Sequence, residues 1–231
     1  MIPLRDTTTT PGIPFVNITL IALCILVFLY EYSLGTGVNA FIDAYGLIPA
    51  KVFAPGFSAG ERIYPFFSSM FLHGGWLHLI GNMLFLYIFG DNVEGRMGHM
   101  RYLAFYLVCG FAAAAMQFVT NVHSVIPMVG ASGAISGVLG AYITLFPKSR
   151  ILTLVPIFFF IQLIHIPAAV FIFIWFIIQF LSGVSSLGRA ADIGGVAFWA
   201  HIGGFVAGLI LVRFFVKGGL RVVGGGRRFY H

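Results

Sequence analysis

Charged side chains are scarce in this chain. Asp, Glu, Lys and Arg make up 9% of its 231 residues, whereas 59% are hydrophobic. Soluble domains carry about 25% charged residues, so this composition excludes an ordinary soluble enzyme or binding module. We therefore expect a polytopic membrane protein of the all-α class, with the lipid bilayer as its first partner.

Cysteine is also scarce. The two cysteines, Cys24 and Cys109, both lie within apolar runs, where a thiol usually behaves as a small hydrophobic group rather than as half of a disulfide. The net charge of +6 comes from basic residues scattered between apolar segments. Because they cluster only in the tail, we expect them to orient the chain in a bilayer and expect no nucleic-acid partner. The tail cluster is Lys217, Arg221, Arg227 and Arg228.

Six apolar segments are candidates to cross a bilayer, which takes roughly 20 residues per helix. They cover residues 13–30, 71–90, 102–119, 130–146, 167–181 and 195–215. The first has no small-residue cleavage site after it, so we interpret it as a retained span rather than a signal peptide. The sequence thus predicts a six-helix transmembrane domain over residues 1–219 and a short basic cytoplasmic tail over residues 220–231.

The fifth segment is preceded by a long uncharged stretch. Between Arg150 and Ser182 lie 31 residues without a charge. This length exceeds one crossing but falls short of two crossings and a turn. We expect Pro156 and Pro167 to separate an interfacial segment from the fifth span, with His165 at the level of the lipid headgroups.

An even number of spans places both termini on one side of the membrane. With the termini inside, ten basic residues face the inner side, and three face the outer side, namely Lys51, Arg62 and Arg189. Since inner loops carry an excess of Lys and Arg, we expect both termini in the cytoplasm. We accordingly expect an integral multi-pass protein that lies in a prokaryotic plasma (inner) membrane.

Unusual polar residues occur near the start of three spans. The second span carries His78 and Asn82, the fourth begins at Gly130-Ala131-Ser132-Gly133, and the sixth contains His201. All three spans run from the outer to the inner side, so these groups fall at a similar depth. Because nucleophilic and ionisable side chains are costly inside a bilayer, their presence indicates a functional site.

Small residues recur on the faces that carry Ser132 and His201. They are spaced so that the two helix backbones can approach closely, although such pairs are also common in helices that merely pack together. They comprise Gly133, Ser136, Gly137 and Gly140 on the fourth span, and Gly204 and Gly208 on the sixth.

These motifs resemble those of the rhomboid intramembrane serine proteases. The matching stretches are His73-Gly74-Gly75-Trp76-Leu77-His78-Leu79-Ile80-Gly81-Asn82-Met83, Glu94-Gly95-Arg96, Gly130-Ala131-Ser132-Gly133, and His201 with its glycines. The resemblance implies a six-helix rhomboid-like bundle in which Ser132 is the nucleophile and His201 its general base, without a third carboxylate.

The resemblance also implies how the oxyanion is stabilised and which residues are architectural. His78 and Asn82 lie four residues apart and are the expected oxyanion donors, together with the Ser132 backbone N–H at the helix start. Gly130 and Ala131 complete the expected oxyanion and substrate-binding site. His73, Glu94 and Arg96 are expected to shape loops and helix ends.

Two family features are altered in this chain. Some relatives place an aromatic residue one turn after the serine, against the histidine, whereas this chain has Ser136 there. We expect packing rather than a charged partner to orient His201. Many relatives also carry a Trp-Arg pair in the first outer loop, here residues 33–72, where this chain has Tyr64-Pro65.

The implied function is cleavage of transmembrane segments in membrane-protein substrates. A rhomboid-like pseudoprotease or chaperone that binds such helices without cutting them is the alternative, and a transporter or channel is a more distant one because no inverted repeat occurs. The chain has no His-Glu-x-x-His zinc motif, and its aspartates lie at segment ends. We therefore expect no metal and no cofactor.

Overall fold

The computed structural model describes residues 1–8, 12–157, 160–186, 197–216 and 218. This part of the chain is mostly helical, which confirms the all-α class, while the predicted tail over 220–231 lies outside it. In chain order the helices are α1 (Phe15–Ser33), α2 (Val38–Tyr45), α3 (Pro49–Val52), α4 (Ala59–Ile63), α5 (Pro65–Ser68), α6 (Trp76–Met97), α7 (His99–Thr120), α8 (Ser132–Leu145), α9 (Ala168–Ser186) and α10 (Phe198–Phe215).

Each of the six predicted spans coincides with one of the longer helices. Four of them, α1, α7, α9 and α10, are long and apolar enough to cross a membrane. A fifth span results if α6 is joined to the preceding segment Ala59–Phe71, from which it is bent by 79°. Helix α8 has only 14 residues, about 21 Å at 1.5 Å per residue. The chain is an integral membrane protein. Within its described residues, the length and hydropathy of the helices support four or five spans, so the predicted count of six is not confirmed.

Helix α8 lies at the centre of the bundle, in contact with α6, α7, α9 and α10. A side chain on Gly204 would overlap the carbonyl oxygen of Gly133, and one on Gly208 would overlap that of Gly137. The backbones of α8 and α10 therefore touch, as the predicted small-residue faces require. This contact fixes the relative height of the two helices.

A three-stranded antiparallel sheet corrects the interpretation of residues 150–167. Its strands are β1 (Ile2–Asp6), β2 (Arg150–Ile157) and β3 (Phe160–Pro167), in the order β1-β2-β3. Strands β2 and β3 pair along their whole length, with Leu152 opposite His165, so Pro156 lies inside a strand instead of marking a boundary. Their many β-branched residues favour strands. Helix α9 begins at Ala168, directly after Pro167, as the sequence predicts for the fifth span.

The end of the bundle next to this sheet, which we call the sheet end, is closed by buried polar contacts. Glu94 on α6 accepts hydrogen bonds from the backbone N–H groups of Val16 (2.9 Å) and Asn17 (2.7 Å), and so caps α1. The Asn17 side chain in turn accepts a hydrogen bond from Tyr102 Oη (2.8 Å). The architectural role expected of Glu94 is thereby confirmed.

The loop of residues 33–72, which the sequence predicts to lie on the outer side, is anchored by an arginine rather than by a Trp-Arg pair. Arg62 donates to the carbonyl oxygens of Val52 (2.7 Å), Ala54 (2.9 Å) and Phe57 (3.0 Å). Tyr64 Oη also donates to Ala44 O (2.6 Å). These contacts fold residues 33–72 into a compact cap over the opposite end of the bundle, which we call the site end because it contains Ser132 and His201.

Candidate functional site

A glycine turn places Ser132 at the first position of α8. Gly130 has a φ of +124°, a conformation that other residues rarely adopt, and its N–H donates to Ser69 O (2.8 Å). A Cβ at Gly130 would lie 2.6 Å from the His78 ring. Backbone strain and the neighbouring imidazole thus both require glycine here. Ala131 follows as the buried N-cap of α8.

Ser132 and His201 are in direct contact. His201 Nε2 lies 2.7 Å from Ser132 Oγ, although the two residues are 69 positions apart in the chain. His201 is buried, with 8% of its surface exposed, and Ser132 is partly buried. The close packing of Gly133 against Gly204 brings the two helices near enough for this hydrogen bond. An imidazole in this position can accept the hydroxyl proton and so activate the serine.

The side of the His201 ring that points away from Ser132 contacts α9. Its Nδ1 lies 2.7 Å from Gln179 Oε1, and the Trp175 ring centre lies 5.8 Å from that of the imidazole. The expectation that packing orients His201 is therefore incomplete, because a side-chain amide also holds it. The sequence signal was available, since Gln179 is a polar residue inside an otherwise apolar helix.

Ser136 has a different role from the aromatic residue found at this position in some relatives. Its Oγ donates to the carbonyl oxygen of Ser132 (2.6 Å), one turn earlier on α8. This bond satisfies the hydroxyl within the helix. The aromatic contact to His201 comes instead from Trp175 on α9.

His78 and Asn82 lie on the face of α6 that meets the Gly130 turn. A Cβ at Gly130 would lie 3.6 Å from Asn82 Nδ2, besides its contact with the His78 ring. Asn82 is buried, and its Nδ2 donates to no group in the described part of the chain. A buried amide donor without a partner is costly, which favours a functional reason for its retention. The structure thus gathers the four residues His78, Asn82, Gly130 and Ala131 next to Ser132.

A small cavity borders Ser132. Its lining is mostly apolar and includes Met70, Gly130, Gly133, Ala134 and Ala200. The Ser132 side chain is one of the few polar groups that reach it. Within the described ranges there is no cluster of three or more His, Cys, Asp or Glu residues that could hold a metal ion. Cys24 and Cys109 are both free and buried, as the sequence predicts.

Comparisons with known proteins identify the family. A family model described as the rhomboid domain matches residues 60–218. The chain is 32% identical over 201 residues to the rhomboid protease GluP of Bacillus subtilis, a match that covers 87% of this chain and 35% of that protein. It is 39% identical over 85 residues to RHOMBOID-like protein 5 of Arabidopsis thaliana, covering 37% of this chain and 27% of that protein.

A further relative is rhomboid protein 1, mitochondrial, of Saccharomyces cerevisiae. It is 29% identical over 148 residues, which cover 62% of this chain and 39% of that protein. The chain therefore spans about a third of the length of the relatives that it matches. These relatives come from a bacterium, a plant and a yeast mitochondrion.

Proposed function

Because the chain belongs to the rhomboid family, we propose that it is an intramembrane serine endopeptidase that cleaves transmembrane segments of membrane-protein substrates. The observation that carries this proposal is the 2.7 Å contact between Ser132 Oγ and His201 Nε2. A nucleophile and a base within hydrogen-bond reach, buried in an apolar bundle, can hydrolyse a peptide bond without a metal.

The first chemical step is attack of Ser132 Oγ on the scissile carbonyl carbon. Neutral His201 accepts the hydroxyl proton on Nε2 as the C–O bond forms, and the carbonyl π electrons move onto oxygen. When the C–N bond breaks, the imidazolium returns the proton to the leaving amine. Water then attacks the resulting ester by the same proton transfers, which releases the carboxylate product and restores Ser132.

The developing oxyanion requires hydrogen-bond donors in a site with little water. We assign this role to His78 and to Asn82 Nδ2, which has no partner among the described residues, with the backbone around Gly130 and Ala131 shaping the pocket. The start of α8 adds the partial positive charge of a helix N-terminus. These donors stabilise the tetrahedral intermediate relative to the bound peptide, which is the condition for catalysis.

The substrate has to unwind locally before it is cut. A transmembrane helix hides its carbonyl groups in internal hydrogen bonds, and the cavity beside Ser132 is too small to admit a whole helix. We therefore expect preferred cleavage near Gly, Pro or other residues that weaken a helix.

The membrane location is part of the same proposal. The excess of basic residues on one side favours both termini in the cytoplasm, and the site then lies toward the outer face of a prokaryotic inner membrane. Modification of single cysteines introduced at exposed Phe53 or Ile2 tests this orientation. Labelling of Ile2→Cys from the outside of intact cells would overturn it.

Cleavage of a panel of single-span substrates in liposomes tests the proposed activity. The wild type is expected to cut at least one of them, whereas Ser132→Ala and His201→Ala should each lose this activity. Gln162→Met, on the exposed strand β3, serves as the matched control that retains it. Equal cleavage by all variants would reject the serine mechanism. Tight binding of substrates without any cleavage would instead indicate a pseudoprotease.

A further inference from the structure

We propose that Gln179 is a positioning residue that holds His201 in the one tautomer able to accept the proton of Ser132. This inference rests on the proposed function and assigns a specific role to α9 within it. A neutral imidazole has one N–H and one lone pair on its two ring nitrogens. Which nitrogen carries the hydrogen decides whether His201 can act as a base toward Ser132.

The two ring nitrogens have different partners in the structure. Nε2 faces the Ser132 hydroxyl at 2.7 Å, and Nδ1 faces Gln179 Oε1 at 2.7 Å. An amide oxygen only accepts hydrogen bonds, so the hydrogen has to reside on Nδ1. The lone pair is then left on Nε2, directed at Ser132. If the hydrogen were on Nε2, the imidazole could donate to the serine but could not take its proton.

Helix α9 presents a continuous face to His201 and its surroundings. Trp175, Gln179 and Gly183 follow one another at intervals of four residues and therefore share one side of the helix. The Trp175 ring packs against His201, and a Cβ on Gly183 would lie 3.3 Å from the Ile202 side chain. Gln179 lies between these two contacts, so its approach to the imidazole is fixed by packing on both sides.

A neutral amide suits this environment better than a carboxylate. The face of α9 around Gln179 is apolar, with Phe176 stacked on Phe205 at 4.6 Å. An ionised carboxylate placed here would lose much of its hydration. The amide supplies the hydrogen-bond acceptor without that cost, while Trp175 restricts the tilt of the ring. His78 on α6 is the other imidazole of the site and lies on the opposite side, next to Gly130.

Gln179→Met tests the proposal, because it keeps the length of the side chain and removes the acceptor. We expect kcat for a single-span substrate to fall about ten-fold, the fold-change of one neutral hydrogen bond, with KM within about two-fold. Gln179→Glu keeps an acceptor and should restore kcat.

Gln117→Met is the matched control. Gln117 Oε1 accepts from the backbone N–H of Ala200 (3.3 Å), next to His201, but does not contact the ring. This variant should retain kcat within about two-fold, as expected for loss of a long, marginal hydrogen bond. Equal losses in Gln117→Met and Gln179→Met would indicate a general packing effect on α10 and would overturn the proposal, as would wild-type kcat in Gln179→Met.

A spectroscopic measurement separates this proposal from the proposed activity. Nitrogen NMR of protein with labelled histidine should show hydrogen on Nδ1 of His201 in the wild type, assigned by the loss of that signal in His201→Ala. The same signal should shift or become mixed in Gln179→Met. Hydrogen on Nε2 in the wild type contradicts the inference even if cleavage is observed. Cleavage by Ser132→Ala would contradict the proposed function whatever the tautomer.

Discussion

The two ends of the helix bundle use polar side chains in opposite ways. At the sheet end, Glu94, Asn17 and Tyr102 are bound to one another or to backbone groups. At the site end, Asn82 Nδ2 is buried without a partner in the described residues, and Ser132 and His201 meet beside a cavity. Satisfied polar groups stabilise a fold, whereas an unsatisfied donor next to a nucleophile is available to a reacting group.

The largest expected difference between the ends concerns two serines. Ser132→Ala removes the proposed nucleophile, so we expect cleavage to fall at least about 10³-fold with little change in thermal stability. Ser149→Ala at the sheet end removes a hydroxyl that accepts from Thr8 Oγ1 (2.8 Å) and lies 2.9 Å from Tyr142 Oη. It should lower stability and leave kcat unchanged. Substrate cleavage and thermal unfolding of both purified variants test these two predictions. Loss of stability in Ser132→Ala together with loss of activity in Ser149→Ala would contradict the contrast between the two ends.

Two buried asparagines give the next largest contrast. Asn82→Ala should lower kcat about 100-fold, since it removes a proposed oxyanion donor. Its stability should fall by less than that of Asn17→Ala, because Asn82 Nδ2 has no hydrogen-bond partner among the described residues. Asn17→Ala removes the acceptor of Tyr102 and the donor to Leu86 O (3.0 Å). Its free energy of unfolding should fall by about 1 to 3 kcal/mol, with kcat of the folded protein retained. If Asn82→Ala lost stability instead of activity, Asn82 would be a packing residue.

Loss of the α1 cap is a smaller effect on stability alone. Glu94→Ala leaves two backbone N–H groups of α1 and the imidazole of His99, 2.5 Å from Glu94 Oε1, without their acceptor. We expect the free energy of unfolding to fall by about 2 kcal/mol in mixed micelles. Glu61→Ala in the exposed capping box of α4 is the control and should change stability less. Equal losses of stability in the two variants would show that Glu94 stabilises the bundle no more than an exposed helix cap does.

The smallest effect concerns pH at the sheet end. Burial of Asp6, together with the nearby Asp91 carboxylate, raises the Asp6 pKa to about 7, although its hydrogen bond from Tyr142 acts in the opposite direction. The folded protein then binds more protons than the unfolded chain between about pH 4 and 7, so stability should fall as pH rises through this window. Asp6→Asn should flatten the dependence of thermal stability on pH, and an unchanged dependence in this variant would contradict the assignment.

The sequence predicted the helices and the meeting of α8 with α10 because both follow from local periodicity. Hydropathy located each apolar helix, and glycine spacing located the faces where Gly133 meets Gly204. The hairpin of β2 and β3 was missed because an uncharged run gives no alternation of polar and apolar residues. An apolar strand and a membrane segment then have the same composition.

Contacts that depend on the rotation of one helix against another could not be predicted from the sequence either. The approach of Gln179 to His201 requires the face of α9 that carries Trp175 to turn toward α10, which no local pattern specifies. Arg62 anchors the loop of residues 33–72 only because the chain around α3 and α4 brings three carbonyl groups together. Both are tertiary arrangements rather than motifs.

The most direct measurement of the central claim is the site of reaction with a fluorophosphonate, which forms a covalent bond with an activated serine. Peptide mass spectrometry of the labelled, purified protein should locate the adduct on Ser132 and detect none there in His201→Ala, because the hydroxyl reacts only when the imidazole can take its proton. An adduct on Ser132 that forms equally well without His201, or no adduct on Ser132 in a folded protein that cleaves substrate, would contradict the account.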